Sequence, residues 1–266
     1  MVELDLIELA DCVRPEQLIA EILRQNPQMP VPVPVEELAR CAGISKIEAF
    51  SSSGFEGALV ANDTKSDGLI FYNCQVPRPR QRFTIGHELG HFLLPWHRQS
   101  SFHCSADDIS ARANKDWERE ANQFSAELLM PTVLLKQRLD PSAEFGLSDV
   151  IRVKDEFETS FESTTRRIVE LSEQACAVVY TKDNLVRYSI YSKHFKSRLC
   201  VRKGGELPSK SLSRLDVSSL DDWLEIDSSW WLEDPTRGVE NPDSIYEQTL
   251  VQEDGYKVTL LTYELE

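Results

Sequence analysis

The stretch RQRFTIGHELGHFLLP, from Arg80 to Pro95, decides how the rest of the chain is interpreted. Its centre is an H-E-x-x-H pattern made by His87, Glu88 and His91. A helix turns by about 100° per residue, so the two histidines lie one turn apart on the same face. Two neutral imidazoles at this spacing can bind one Zn²⁺. Glu88 lies beside the metal, where it can take a proton from a zinc-bound water.

Apolar residues surround these three side chains and predict that the helix is largely buried. They are Phe83, Ile85, Leu89, Phe92, Leu93 and Leu94. Two buried histidines can also be ordinary core residues, and a bare H-E-x-x-H occurs by chance. The rest of the chain therefore has to decide between a metal site and a core element.

A catalytic zinc usually has three protein ligands, and His97 is one candidate for the third. It lies six residues after His91, where the metzincin pattern H-E-x-x-H-x-x-G-x-x-H has a histidine. That pattern needs a glycine to turn the chain, whereas this chain has Leu94 followed by Pro95. We therefore expect His97 to lie at the surface or at the rim of the cleft.

Glu118 is the second candidate and the one that we predict. It lies in WEREANQFSAELLMP (residues 117–131), a predicted helix whose polar stripe also contains Asn122 and Ser125. A glutamate from a second helix would complete a His₂Glu site. Glu120 lies off this stripe, and we expect it to be solvated.

The segments RFTIGHELGHFLL and EREANQFSAELLMP resemble the ImmA/IrrE family of bacterial zinc metallopeptidases. The resemblance implies that His87, His91 and Glu118 hold the metal and that Glu88 is the catalytic base. It also implies an α+β fold with a zincin-like core, in which a small sheet packs with the motif helix and the Glu118 helix. Family members cut helix-turn-helix transcriptional repressors, so it implies a protein substrate of that type.

Strand-like runs at 46–50, 56–61 and 68–72 predict a small sheet ahead of the motif helix. The edge of such a sheet can accept an extended peptide as an additional strand. Tyr72, at the end of the third run, is a possible oxyanion or substrate contact, although a strand tyrosine more often serves packing.

Residues 147–174 predict two helices about a tight turn. They resemble a helix-turn-helix with Thr164, Thr165, Arg166 and Arg167 on the second helix. The interspersed glutamates favour a helical pair that packs on the core. We predict a peptidase core at 1–135, this helical pair at 136–175, and an acidic β-rich unit of unknown role at 176–266.

The composition is that of a soluble globular protein, with 41% hydrophobic and 27% charged residues among 266. A net charge of −15 disfavours direct nucleic-acid binding, because the phosphate backbone would be repelled. The six cysteines are scattered, as expected for reduced thiols. The acidic N-terminus and the lack of a long apolar run predict a cytoplasmic protein without a membrane span.

We therefore expect a zinc-dependent endopeptidase with one Zn²⁺ per chain, although another divalent metal such as Mn²⁺ is an alternative. The water on the zinc would be the nucleophile and Glu88 the general base. The alternative function is a metal-containing binding module that acts by association, for example in a toxin–antitoxin pair, without proteolysis.

Overall fold

The computed structural model describes residues 2–97, 101–105, 112–140, 142–234 and 240–264. The chain has an α+β fold that divides into two compact units. The first unit comprises Met1–Leu135 and Lys154–Ser160, and the second comprises Lys136–Val153 and Phe161–Glu266. The predicted boundaries at residues 135 and 175 stay predictions. No helix of the described segments is both long enough and apolar enough to cross a bilayer.

The first unit combines helices with a four-stranded sheet. Its helices are α1 (Leu6–Ala10), α2 (Pro15–Gln25), α3 (Val35–Ala42), α4 (Arg78–Leu93) and α5 (Arg112–Leu129), and α6 (Thr132–Lys136) follows. Its strands are β1 (Ile44–Phe50), β2 (Phe55–Ala61), β3 (Gly68–Asn73) and β4 (Ser101–Ser105), in the order β1-β3-β2-β4. Strand β1 runs parallel to β3, and β2 is antiparallel to both of its neighbours. Strands β1, β2 and β3 and helices α4 and α5 lie at the segments for which the sequence predicts strands and helices.

Two glycines of α4 allow it to lie close against α5. A Cβ atom at Gly86 would lie 2.7 Å from the Ser125 hydroxyl, and one at Gly90 would lie 3.0 Å from the Phe124 ring. Side chains on this face of α4 and on α5 are therefore held within direct reach of each other. The glycines of the motif thus set the distance between the two helices that carry the predicted ligands.

The region between these helices differs from its prediction. The sequence of residues 96–116 is polar and lacks a pattern, which predicts a loop placed to cover the site. Strand β4 lies within this region, and α5 begins at Arg112 rather than near Trp117. The rest of the expected loop, residues 98–100 and 106–111, lies outside the described residues.

The second unit is built on an antiparallel sheet with the order β6-β5-β9-β8-β7. Its strands are β5 (Ala175–Lys182), β6 (Leu185–Tyr191), β7 (Ser219–Asp227), β8 (Ser244–Val251) and β9 (Tyr256–Tyr263). Helix α7 (Leu147–Phe157) crosses the unit boundary, and α8 (Phe161–Leu171) lies in this unit. Alternating runs after Ala175 and near the end of the sequence predict two hairpins, and both form. Asp254-Gly255 predicts a two-residue turn in the second hairpin, but β8 and β9 are joined by a longer turn, in which the Gln252 N–H donates to the Tyr256 carbonyl.

Candidate metal centre

Helices α4 and α5 bring together the three side chains that the sequence predicts as metal ligands. The Nε2 atoms of His87 and His91 lie 3.1 Å apart. One Glu118 oxygen lies 3.2 Å from His87 Nε2, and the other lies 3.2 Å from His91 Nε2. One ligand atom from each residue lies within 4.8 Å of the other two, and we call these three residues the acceptor cluster.

The spacing of the acceptor cluster fits a tetrahedral zinc ion. Two ligands about 2.05 Å from a tetrahedral zinc are about 3.3 Å from each other. The separations of 3.1 and 3.2 Å in the cluster are close to that value. Imidazole nitrogen and carboxylate oxygen are also the donor types that zinc accepts in catalytic sites. The residues present thus fit this metal.

Asn122, one turn after Glu118 on α5, orients the first histidine. Its Oδ1 lies 3.0 Å from Nδ1 of His87. With this oxygen as acceptor, a neutral His87 carries its proton on Nδ1 and has its lone pair on Nε2, which faces the cluster. This is the hydrogen bond from an outer residue that metal-binding histidines usually make.

His97 and Glu120 correct two predictions. His97 is completely buried rather than at the surface, and its Nδ1 lies 2.9 Å from Nδ1 of His91, on the side away from the cluster. Glu120 is not simply solvated, since its Oε2 lies 3.0 Å from His97 Nε2 and accepts from Trp96 Nε1 at 2.6 Å. The sequence offers His97 only as a competing ligand, whereas the structure places it behind His91.

Glu88 is completely buried and lies against strand β2. A Cβ atom at Gly57 would overlap the Thr84 methyl group and lie 2.9 Å from Glu88 Oε1. Only glycine therefore lets β2 approach the carboxylate this closely. Tyr72 is the register partner of Gly57 on β3, so the two residues share a face of the sheet. Tyr72 is half-buried against the hydrophobic core, and its role as a substrate contact stays a prediction.

Burial and charge shift the pKa values of these groups in different directions. Burial lowers the pKa of His91 to about 4, and the neighbouring His87 contributes to this shift. Burial also lowers the pKa of His87, but its hydrogen bond to Glu118 and the charge of Glu88 together raise it above its ordinary value. Burial would raise the pKa of Glu118, yet its close contacts with the Nε2 atoms of both histidines lower it strongly. Glu118 is therefore a carboxylate at neutral pH.

The residues of the possible helix-turn-helix are not placed for base recognition. Thr164 and Thr165 are completely buried in α8. Arg166 lies 3.8 Å from Glu162, and Arg167 lies 2.9 Å from Glu170. The side chains that this interpretation assigns to DNA contacts are therefore directed inward or paired with carboxylates.

The comparison with protein families gives a match to part of the chain. The profile of the IrrE N-terminal-like domain, of the peptidase family M78, matches residues 45–169. Residues 45–169 are therefore a domain of the ImmA/IrrE family. The matched segment contains the acceptor cluster, Glu88, Gly57 and Tyr72. The family is one of peptidases, so this domain is a peptidase domain.

Two further comparisons add no functional information. The structure is similar to a Mycobacterium tuberculosis transcriptional regulator with a TM-score of 0.48 and 14% sequence identity, over 86% of this chain and 68% of that one. No curated protein sequence gives a significant match to this chain.

Proposed function

We propose that this protein is a zinc-dependent endopeptidase with a zincin-like core. The observation that supports this most strongly is the acceptor cluster, in which His87, His91 and Glu118 converge at distances suited to zinc. Its location within a segment that matches a peptidase family supports hydrolysis rather than a purely structural metal site.

Each side chain of the site has one chemical task in this proposal. When bound, zinc supplies a Lewis acid that lowers the pKa of a water to about 7 and polarises the scissile carbonyl. Glu88 accepts the proton of the attacking water and returns it to the leaving amine. Asn122 holds the His87 proton on Nδ1, so that Nε2 is available to the metal. Tyr72 contacts the substrate or the developing oxyanion.

The substrate in this proposal is a protein, and more specifically a helix-turn-helix transcriptional repressor. The family resemblance supports that substrate class. The acidity of the chain also suits it, because a net charge of −15 attracts the basic surface of a DNA-binding protein.

The test is to incubate the zinc-loaded protein with the helix-turn-helix repressor encoded beside it and to follow cleavage by mass spectrometry. We expect the repressor to be cut at a defined bond. Glu88→Gln is the control variant, because it keeps the acceptor cluster intact and removes the base. A general base typically contributes about 10²–10⁴-fold, so the variant should lose cleavage to that extent while it still binds zinc.

Two outcomes would contradict the proposal. One is equal cleavage by the wild type and by Glu88→Gln. The other is a complex that survives gel filtration with both chains full length in the presence of zinc. That second result would favour a binding module that acts by association.

A further inference from the structure

The inner side of His91 contacts a chain of polar groups that the proposed mechanism does not use. His91 Nδ1 lies 2.9 Å from His97 Nδ1, and His97 Nε2 lies 3.0 Å from Glu120 Oε2. The same Glu120 oxygen accepts from Trp96 Nε1 at 2.6 Å. His91 and His97 are both completely buried, so the contact between them is shielded from water. We call Glu120, His97 and His91 the polar relay.

The direction of the hydrogen bonds in the polar relay follows from the chemistry of Glu120. An ionised carboxylate can only accept, so the proton between Glu120 and His97 is on His97 Nε2. A neutral His97 with its proton on Nε2 has an acceptor at Nδ1. His91 must then carry its own proton on Nδ1 and keep its lone pair on Nε2, the atom that faces the acceptor cluster.

The plane of the His97 ring is also fixed. It stacks on Trp117, with ring centroids 5.2 Å apart and planes inclined by 24°. Glu120 is held from a second direction by Trp96. The His97 ring and the Glu120 carboxylate are therefore each held by a second contact, which favours the hydrogen-bonding geometry described above.

We propose that His97 and Glu120 are positioning residues for the metal, which set the tautomer and ring orientation of His91 without contacting the ion. This inference rests on the proposed function, because it assumes that His91 is a ligand. His97 is then excluded as the third ligand for a positive reason, since its nitrogen atoms are used by His91 and Glu120.

The test is the zinc dissociation constant of the full-length chain, measured by competition with a chromophoric chelator. His97→Phe keeps an aromatic ring beside Trp117 but removes the acceptor for His91. We expect zinc affinity to fall about 10–100-fold, as is typical when an outer hydrogen-bond partner is removed. His97→Asn places an amide oxygen near the former Nδ1, so it should retain affinity within about tenfold of the wild type.

The relative zinc affinities of His97→Phe and His97→Asn distinguish a positioning role of His97 from a packing role. If His97 only filled space, phenylalanine would replace it better than asparagine. Asp116→Asn is the charge control, because it removes a carboxylate from the same helix at an exposed position that pairs with Arg119. This control should leave zinc affinity unchanged.

A second readout reports the tautomer directly. In the metal-free protein, ¹⁵N shifts of His91 should show the proton on Nδ1, and Glu120→Leu should convert this to a mixture of tautomers. Wild-type affinity in His97→Phe, or a phenylalanine variant that binds zinc better than the asparagine variant, would overturn the proposal and leave the proposed function intact. A wild-type chain that binds no zinc would overturn both.

Discussion

Each unit contains a buried polar cluster, and the two clusters follow opposite rules. In the second unit, Glu247 is completely buried and accepts from Trp231 Nε1 at 3.1 Å and from the Leu212 N–H at 3.0 Å. Lys257 Nζ in turn donates to Asn184 Oδ1 and to the Ser213 carbonyl, both at 2.7 Å. In these contacts each acceptor faces a donor, so the cluster is complete as the protein folds.

In the first unit, acceptors face acceptors. With the His87 proton directed to Asn122, the Nε2 atom of His87 meets that of His91 and the carboxylate of Glu118. Such an arrangement requires a cation or an additional proton between these atoms. The pKa of His87 agrees with this requirement. Burial lowers this pKa, but the contact with Glu118 raises it above its ordinary value, so His87 binds a proton more readily. A buried polar cluster that stabilises the fold thus pairs donors with acceptors, as in the second unit. A cluster that binds a cation brings acceptors together, as in the first unit.

The largest expected effect comes from breaking the cluster of the second unit. Glu247→Leu would leave the indole N–H of Trp231 and the Leu212 N–H without their acceptor. Each buried donor that loses its partner costs about 1–3 kcal/mol, so we expect the free energy of unfolding to fall by about 2–6 kcal/mol. Urea denaturation measures this loss. Zinc affinity should stay at the wild-type value, and a drop in it would contradict the division between the clusters.

Gly57→Ala tests the packing of strand β2 against Glu88, next to the polar cluster of the first unit. The new methyl group would overlap Thr84 and press on Glu88, which should lower the free energy of unfolding by about 1–3 kcal/mol and slow substrate cleavage. Thr84→Ser in the same chain removes the overlapping methyl group and should recover part of the stability. A fully stable Gly57→Ala chain with wild-type cleavage would show that β2 does not pack against the catalytic carboxylate.

Lys65 should show a smaller effect at the end of α4. Its Nζ donates to the carbonyls of His91 and Leu94, at 2.7 and 2.8 Å, where the negative end of the helix dipole lies. Lys65→Met should therefore reduce the free energy of unfolding by about 1–2 kcal/mol. Lys46→Met, at an exposed ion pair with Glu48, is the matched control and should change it by less than about 1 kcal/mol. Equal losses in both variants would exclude this role.

The pH dependence of the second cluster is the smallest expected effect. Burial raises the pKa of Glu247 above its ordinary value, although the donated hydrogen bonds oppose this. An acid whose pKa is higher in the folded than in the unfolded protein stabilises the fold when it is protonated. This stabilisation is present below the pKa of the unfolded state and is lost as the pH rises through the pKa of the folded state. The stability difference between the wild type and Glu247→Gln should therefore shift against the wild type as the pH rises from below 4.5, the ordinary value of the Glu pKa, towards neutral pH. A difference that is constant over this range would contradict the shift.

The parts of the site that the sequence predicts are those encoded by local periodicity. A four-residue spacing places His87 and His91 on one face, and the polar stripe of α5 identifies Glu118. The strands before α4 are equally local, since each is a short apolar run between turn signals.

The parts that the sequence does not predict depend on contacts between distant residues. His97 meets Glu120 only because the chain after Pro95 returns to α5, and no periodicity records that path. The strand order β1-β3-β2-β4 is likewise a property of pairing rather than of any single run. A signal for the relay was present in the sequence, because a histidine near the motif that fits no ligand pattern is a candidate for an outer hydrogen-bond partner.

The most direct test of the central claim is the zinc content per chain of the wild type, measured beside Glu118→Ala and the exposed control Asp116→Ala. The account predicts about one zinc per chain in the wild type and in the control, and a clearly reduced content in Glu118→Ala. Full zinc content in Glu118→Ala would contradict the assignment of the third ligand. A wild-type chain without metal after zinc is supplied would contradict the metal centre itself.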